Sequence, residues 1–375
     1  MSYLSFASAG LERFFEPRHR ALGDQLTDMV PALREMSHDA RAVSEKLAAL
    51  GLYAHLIPQA AEEIDVRSLV LAREALGYAH PQADAIFAVQ GLGTYPIVLA
   101  GADDQKKRYL PEVLRGERIG AFALTEPEAG SDVGSLRCEA RRDGDDWVLD
   151  GEKTLISNVP IADHYIVFAR VHGEEKSISA FIVDRDASGL TLSVQPMSSD
   201  HPIGELELRG CRLQASALLG SVGGGMRLAL TTLETFRISV GAAANGMASA
   251  ALEDTLAHVQ RRRQFGKPIA DQQLVQAYLA EMATELDAAR LLVARAAWLK
   301  DVRGGRASGE VAIAKMYATE AAQRIIDKAV QLHGGRGVLL GTRVESLYRD
   351  IRPLRIYEGT TEIQKLIIAR HLLGR

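Results

Sequence analysis

The change in apolar periodicity along this chain of 375 residues constrains its fold more strongly than any other feature. From Leu11 to Leu114 the apolar residues recur every three or four positions, which predicts helices. Between about Gly120 and Leu213 the pattern changes to short apolar runs separated by turn-forming residues, which predicts a small antiparallel β domain. After Gly223-Gly224-Gly225 the helical spacing returns in long alanine-rich segments. We therefore expect an α+β fold with an N-terminal α-helical domain, a middle antiparallel β domain and a C-terminal four-helix bundle.

Individual runs define the predicted elements and the domain boundaries. The strands expected in the middle domain are 147–149, 165–168, 178–183, 190–194 and 205–208. The long C-terminal helices are expected at 242–260, 273–300 and 309–332, and Gly334-Gly335 is a stop signal for the last of them. The expected domains are residues 1–117, 118–217 and 218–375.

Composition limits the class of protein. Hydrophobic residues make up 47% of the chain, charged residues 25%, and the formal net charge is -4. These values are typical of a globular protein and argue against a nucleic-acid partner. The two cysteines, Cys138 and Cys211, are too few for a disulfide framework and lack metal-ligand spacing, so we expect no metal and a reducing, cytoplasmic compartment. The N-terminus has no signal-like pattern, and no stretch of about 18 apolar residues occurs, so we expect no membrane contact.

One carboxylate near the C-terminus is placed as a catalytic base would be. Glu358 lies between Tyr357 and Gly359, directly before a predicted helix in which Thr361 and Gln364 form a capping box. This arrangement predicts a fixed turn that aims a buried carboxylate at a substrate proton. The alternative is an ordinary acidic residue near a helix N-terminus, where negative charge is favoured in any case.

Four further motifs bear on whether Glu358 is a catalytic base or an ordinary acidic residue. They are Gly120–Asp132 (GAFALTEPEAGSD), Gly151–Asn158 (GEKTLISN), Arg262–Gly266 (RRQFG) and Gln331–Gly335 (QLHGG). In order and spacing they resemble the motifs of the acyl-CoA dehydrogenase family, and the resemblance extends from about Leu22 to the end of the chain. The family resemblance implies an α domain, a β domain and a second α domain, which is the order that periodicity predicts independently.

The resemblance implies FAD as the cofactor and assigns contacts to it. Within one subunit the matching positions are Phe122, Leu124, Thr125, Gly130, Ser131, Leu155, Ser157, Thr360 and Glu362. The hydroxyls of Thr125 and Ser157 would lie along the edge of the flavin ring, although such residues in a β loop often only satisfy backbone groups. Arg262, Phe265, Gln331 and Gly335 match positions that bind the dinucleotide of a neighbouring subunit, so the resemblance implies at least a homodimer and, from the family, a homotetramer.

The resemblance also gives Glu358 a reaction. It implies that Glu358 removes the α-proton of an acyl-CoA thioester while the β-hydrogen leaves as hydride to the flavin, giving a trans-2-enoyl thioester and passing electrons to an electron-transfer flavoprotein. In some branches the base comes from a helix position matching Phe236, which cannot accept a proton. Substrate contacts are implied for Ser131, Glu234, Arg237, Tyr357 and Gly359. For Glu234 and Arg237, a surface charge pair at helical spacing is the alternative.

The chain departs from the family pattern at several positions. Leu155 stands where a tryptophan is common, which removes an aromatic wall beside the flavin. The loop at Gln59–Ile64 is shortened, which leaves the N-terminal contacts open. Gly341 and Ser346 replace an acidic and a basic residue. No arginine occurs in Pro81–Phe87, where relatives that act on dicarboxylic acyl chains carry one, so a dicarboxylyl substrate is disfavoured.

The sequence is also compatible with other functions. The acyl group could be carried by a carrier protein in place of coenzyme A, or the reduced flavin could react with oxygen as in an oxidase. From a different class, the chain could be a DNA-associated or non-catalytic flavoprotein of the same fold. The acidic net charge disfavours DNA binding, and the intact Glu358 disfavours a non-catalytic role.

Overall fold

The computed structural model describes residues 10–58, 63–174, 178–303 and 307–374. The N-terminal part is helical, as the periodicity predicts. Its helices are α1 (Pro17–Arg34), α2 (Ala40–Ala49), α3 (Val66–Ala79), α4 (Pro81–Ala100) and α5 (Asp103–Leu114). Asp39 and Asp65 cap α2 and α3, because their side chains accept hydrogen bonds from the N–H groups of Ala42 and Ser68. His80 has extended backbone angles and separates α3 from α4. The shortened loop at Gln59–Ile64 lies largely outside the described residues.

The middle part forms a sheet that contains all five predicted strands. Its strands are β1 (Gly120–Ala123), β2 (Glu139–Asp143), β3 (Asp146–Ser157), β4 (His164–Val171), β5 (Ile178–Asp184), β6 (Leu190–Val194), β7 (Ile203–Leu213) and β8 (Leu218–Leu219). In the described part of the chain the order is β6-β7-β3-β2-β4-β5-β8, with β1 beside β4. Pairing is antiparallel except for β1 with β4 and β2 with β4, which are parallel. The predicted β domain is confirmed, and these two parallel pairs refine it.

The sheet is buried on both faces around β4. Tyr165, Val167 and Ala169 belong to one hydrophobic cluster, in which the Trp147 and Phe181 rings meet edge to face at 5.2 Å. The alternate residues Ile166 and Phe168 belong to a second cluster. Alternation along a strand sends successive side chains to opposite faces, which explains why β4 reads as a continuous apolar run.

The C-terminal part is helical again. It contains α6 (Gly225–Arg261), α7 (Gln273–Arg303), α8 (Ser308–His333), α9 (Arg343–Ile351) and α10 (Thr361–Leu372), with a short hairpin of β9 (Arg263–Gln264) and β10 (Lys267–Pro268) after α6. One core cluster joins α3, α6, α7 and α8, largely through alanine and valine side chains. Small side chains let the helices pack closely. Gly334 ends α8 with a φ of 60°, as the stop signal predicts.

The chain forms two compact units. One combines Met1–Met36, Asp65–Asp84 and Arg237–Arg375, and the other combines Ser37–Ile64 and Ala85–Phe236. The domain boundaries at 117/118 and 217/218 stay a prediction.

Helix α4 is long and apolar enough to cross a membrane by length and composition, but 78% of its most apolar window is buried in the protein. A core helix of a globular protein meets the same criterion.

Candidate active site

Glu358 occupies a tight turn between α9 and α10. Its φ is 53° and that of Gly359 is 90°, so the base candidate has a left-handed backbone that non-glycine residues rarely adopt. Thr360 caps α10 by accepting a hydrogen bond from the Ile363 N–H at 3.4 Å. The predicted capping box of Thr361 with Gln364 is therefore wrong by one residue. Thr361 is already helical, and its hydroxyl donates to Glu320 Oε1 at 2.6 Å.

Side chains from three helices hold this turn through its carbonyl groups. Arg237 Nε donates to the Glu358 carbonyl at 3.0 Å, and Lys315 Nζ donates to the Gly359 carbonyl at 2.9 Å. Gln364 Nε2 also donates to the Gly359 carbonyl, at 2.8 Å. A non-glycine residue in such a strained backbone costs about 1–3 kcal/mol and persists only where surrounding contacts over-determine it. These donors supply that constraint.

The Glu358 carboxylate itself is desolvated and unsatisfied. Its Oε2 is buried and accepts no hydrogen bond from any residue in the described ranges. Burial raises the pKa of Glu358, while the positive charges of Arg73, Arg237 and Lys315 oppose this rise. The result is a carboxylate that holds a free lone pair, which is what proton abstraction requires.

A buried polar cluster that the sequence analysis did not single out lies in the same unit. Arg73 on α3 donates two hydrogen bonds to Asp84, both 2.8 Å, and a third to Ser239 Oγ at 2.9 Å. Both Arg73 and Asp84 act electrostatically on Tyr357, whose pKa is raised chiefly by burial. Lys315 is fully buried on α8, and burial lowers its pKa to about 8. The signal was present in the sequence, since Arg73 and Lys315 are charged residues inside apolar helical runs.

The first two motifs meet in the other unit. Lys153, which is fully buried, donates to Glu126 Oε1 at 2.7 Å and to the Leu124 carbonyl at 3.2 Å. Glu126 also accepts hydrogen bonds from the backbone N–H groups of Arg137 and Cys138. The Thr154 N–H donates to the Thr125 carbonyl at 3.1 Å. Phe122 packs on Phe168 with 4.9 Å between ring centroids, while Gly130 and Ser131 are exposed.

The end of the second motif has an unusual backbone. Leu155 and Asn158 have φ values of 56° and 66°, and Leu155 is 60% exposed although it is apolar. Ser157 Oγ is hydrogen-bonded to His201 Nε2 at 2.6 Å. In the described part of the chain, the non-glycine residues with positive φ are Leu155, Asn158, Phe265 and Glu358. Each of them lies in one of the sequence motifs described above, or in the turn that carries Glu358. Backbone strain of this kind concentrates at functional sites.

The residues expected to reach a neighbouring subunit are at the surface. Arg262 follows α6, and Phe265 is 95% exposed at the tip of the β9–β10 hairpin. Gln331 and Gly335 are exposed at the end of α8.

The remaining predicted contacts lie on α10 and α6. Glu362 on α10 is exposed, and Thr360, which caps α10, is partly buried. Glu234 is also partly buried, one helical turn before Arg237 on α6.

Comparison with known proteins identifies the class. Three models of the acyl-CoA dehydrogenase family match the chain: the N-terminal domain at residues 18–117, the middle domain at 121–214 and the C-terminal domain at 223–373. The fold and the site therefore define an oxidoreductase of the acyl-CoA dehydrogenase type. The chain belongs to the acyl-CoA dehydrogenase family.

Individual relatives and solved structures agree with this family assignment. A 3-(aryl)acrylate reductase of Clostridium sporogenes is 42% identical over 75% of this chain and 76% of its own. A caffeyl-CoA reductase-Etf complex subunit of Acetobacterium woodii is 33% identical over 93% of this chain and 94% of its own. The structure of a Bacillus anthracis acyl-CoA dehydrogenase complexed with FAD superposes with a TM-score of 0.87 and 30% identity, covering 100% of this chain and 70% of that chain. The protein is an enzyme of this family with FAD as its cofactor.

The residues of this chain fit that cofactor. An added Cβ at Gly130 or at Gly335 would meet no atom within 4 Å, so the backbone at both positions is open to a ligand. The partly exposed residue Ser157 and the exposed strained residues Leu155 and Phe265 offer the polar and apolar contacts that a flavin dinucleotide uses.

Proposed function

We propose that the protein catalyses the α,β-dehydrogenation of an acyl-CoA thioester to the trans-2-enoyl-CoA, with Glu358 as the base that takes the α-proton. The observation that carries this proposal is the buried Oε2 of Glu358, which has no hydrogen-bond partner within the described ranges while its turn is held by three donors. An exposed acidic residue at a helix N-terminus would show neither property.

The turn also supports a role in polarising the thioester. The Glu358 N–H donates to no backbone carbonyl in the described ranges, so this donor is available to bind the thioester carbonyl. A hydrogen bond there would stabilise the charge that develops as the α-proton leaves. FAD, when bound, supplies the acceptor for the β-hydrogen as hydride. Ser131, Glu234, Arg237, Tyr357 and Gly359 are the proposed substrate contacts.

For the cofactor we propose the contacts implied by the motifs. Thr125 and Ser157 would lie at the ring edge, with Phe122, Leu124, Gly130, Ser131, Leu155, Thr360 and Glu362 as the other contacts within the subunit. The exposed set Arg262, Phe265, Gln331 and Gly335 would bind the dinucleotide of a neighbouring copy. Such sharing requires at least a homodimer, and we propose a homotetramer in the cytoplasm.

The names of two relatives support proposals for the electron acceptor and for the acyl group of the substrate. We propose an electron-transfer flavoprotein as the acceptor, which is supported by the name of the Acetobacterium woodii relative. Two relatives are named as reductases of arylacrylate or caffeyl substrates. These names favour a second candidate function, the reduction of a 3-arylacryloyl thioester, which uses the same residues in reverse. A carrier-protein thioester remains the alternative to coenzyme A.

An anaerobic titration tests the proposal. The purified FAD-containing protein is titrated with straight-chain, branched and 3-arylpropanoyl CoA thioesters, and the visible flavin absorbance is followed. We expect bleaching by one class of thioester, loss of bleaching in Glu358→Gln, and no change in the matched control Glu45→Gln, an exposed residue on α2.

Each other result has a defined meaning. Bound FAD that no CoA thioester bleaches would refute the acyl-CoA dehydrogenase proposal and leave carrier-bound acyl groups or a non-dehydrogenase role as the alternatives. If the chemically reduced protein is instead reoxidised by 3-arylacryloyl-CoA, the reductase function replaces it. Bleaching that persists in Glu358→Gln would remove Glu358 from the role of base.

A further inference from the structure

The connection between β6 and β7 holds the end of the second motif. Gln195 Oε1 accepts a hydrogen bond from the Leu155 N–H at 3.1 Å, and the Pro202 carbonyl accepts one from the Asn158 N–H at 2.7 Å. Between these two backbone contacts, His201 Nε2 meets Ser157 Oγ at 2.6 Å. The connection therefore fixes both the backbone on either side of Ser157 and the Ser157 side chain.

The polar groups beside Leu155 form a network of their own. Gln195 Nε2 donates to Glu205 Oε1 at 2.6 Å and to Thr154 Oγ1 at 3.1 Å, and the Thr154 hydroxyl donates to the same carboxylate oxygen at 3.0 Å. Because each group in the network has a partner, the strand end around Ser157 has little freedom to shift. The Ser157 hydroxyl can still rotate about its Cβ–Oγ bond, and only His201 limits that rotation among the described residues.

His201 is suited to this task because its surroundings favour the neutral imidazole. Its side chain is partly accessible, but its surroundings exclude enough water that burial lowers its pKa to about 4. A neutral imidazole has one ring nitrogen that donates and one that accepts. If Nε2 carries the proton, Ser157 Oγ accepts and the serine proton is free to point elsewhere. If Nδ1 carries it, Ser157 donates to His201 and turns a lone pair outward.

We propose that His201 is a positioning residue that sets the direction of the Ser157 hydroxyl toward the flavin ring edge. This inference rests on the proposed flavin contact of Ser157. A serine alone would sample several hydroxyl rotamers, whereas a serine bonded to an imidazole presents either its proton or a lone pair, according to the tautomer. His201 thereby adjusts how strongly the protein binds FAD and how readily the bound FAD is reduced.

Two amide substitutions test the proposal. The side-chain nitrogen of Gln in His201→Gln reaches about the position of the imidazole Nε2, whereas the amide of His201→Asn is too short to reach Ser157. Both variants keep a polar, uncharged side chain, so they differ mainly in the contact with Ser157. Ser157→Ala serves as the reference for complete loss of the hydroxyl, and His172→Leu, at an exposed position directly after β4, serves as the control.

The measurements are the FAD dissociation constant, the flavin absorption spectrum and the midpoint potential of the substrate-free protein. We expect His201→Asn to weaken FAD binding roughly tenfold, the order expected for one lost hydrogen bond, and to shift the potential in the same direction as Ser157→Ala. His201→Gln and His172→Leu should stay close to the parent protein. Thermal unfolding of each variant identifies any general loss of stability.

Two results would overturn the inference, and they are distinguishable from failure of the proposed reaction. If Ser157→Ala changes the spectrum and the potential but His201→Asn does not, His201 does not position the hydroxyl. If Ser157→Ala changes neither, the flavin contact of Ser157 is wrong and the inference fails with it. Substrate bleaching that depends on Glu358 would remain intact in both cases.

Discussion

The chemistry of Glu358 depends on a balance between burial and nearby positive charge. Burial raises its pKa, and the guanidinium groups of Arg73 and Arg237 and the ammonium group of Lys315 limit the rise. A base that is too acidic would not take the α-proton, and one that is too basic would already be protonated at the working pH. Under the proposed mechanism, these three cations should therefore help to set the lower pH limit of activity.

Lys315→Met should move the acid limb of activity to higher pH. Lys315 has a pKa of about 8, so below that pH it is positively charged, and its charge favours the ionised form of the Glu358 carboxylate. Proton abstraction needs the ionised form, so kcat/KM falls as pH drops through the raised Glu358 pKa. Removing the lysine charge raises that pKa further. The measurement is kcat/KM against pH, with Lys46→Met on the surface of α2 as the control. An acid limb that stays in place or moves to lower pH would contradict the electrostatic role.

Gly359 is favoured by its backbone angle, and an added side chain there would also displace the Gln364 amide. At a φ of 90° an alanine is strained, and its Cβ would lie 2.6 Å from Gln364 Nε2. Gly144→Ala in the turn between β2 and β3 meets the angle penalty alone, since an added Cβ there contacts nothing within 4 Å. We expect Gly144→Ala to cost about 1 kcal/mol of unfolding free energy and Gly359→Ala to cost more and also to lower kcat. Denaturant unfolding of both variants checks this, and equal costs would refute the contact.

At the scale of elements, periodicity predicted most helices and strands because it reports directly which face of a segment is buried. It did not reveal the parallel pairs of β4, since a strand's own pattern does not name its partners. It also placed the cap of α10 one residue late, because Thr360 and Thr361 are equally good cap residues in the sequence. Within the candidate site, Glu358 was found from its motif. Lys315 and His201 were missed because each acts through a contact with a residue far away in sequence.

The buried pair of Lys153 and Glu126 should stabilise the sheet end where the first two motifs meet. Lys153→Met leaves a buried carboxylate without its cation, which costs about 3–5 kcal/mol. Adding Glu126→Gln removes the uncompensated charge, so the double variant should lose less than the sum of the two single variants. Unfolding free energies from denaturant titration give the coupling.

The matched control for this pair is on β7 in the same sheet. Arg209 forms an exposed ion pair with Glu207, and Arg209→Met should change stability by no more than about 1 kcal/mol. If Lys153→Met is as mild as Arg209→Met, or if the two substitutions at 153 and 126 are additive, the pair does not organise the motif.

At the scale of the whole molecule, the exposed tip of the β9–β10 hairpin is the feature on which the proposed subunit association can be tested. Phe265 combines 95% exposure with a φ of 52°, so an isolated subunit would bear both an exposed aromatic ring and a strained backbone. Burial of the ring in a neighbouring copy would offset both costs, at about 25 cal/mol for each Å² of apolar surface removed from water. The same tip carries the motif that the family resemblance assigns to the dinucleotide of the neighbour. Association and FAD retention should therefore be coupled.

Phe265→Ser tests this coupling. We expect the variant to dissociate more readily on dilution, as measured by light scattering after size-exclusion chromatography, and to release FAD over the same concentration range, as measured by flavin fluorescence. Val194→Ser, at an exposed apolar position of β6 outside the motifs, should change neither. If Phe265→Ser keeps the parent assembly and FAD affinity, the hairpin is not an interface. If it loses FAD while the assembly stays intact, Phe265 contacts the cofactor without holding the subunits together.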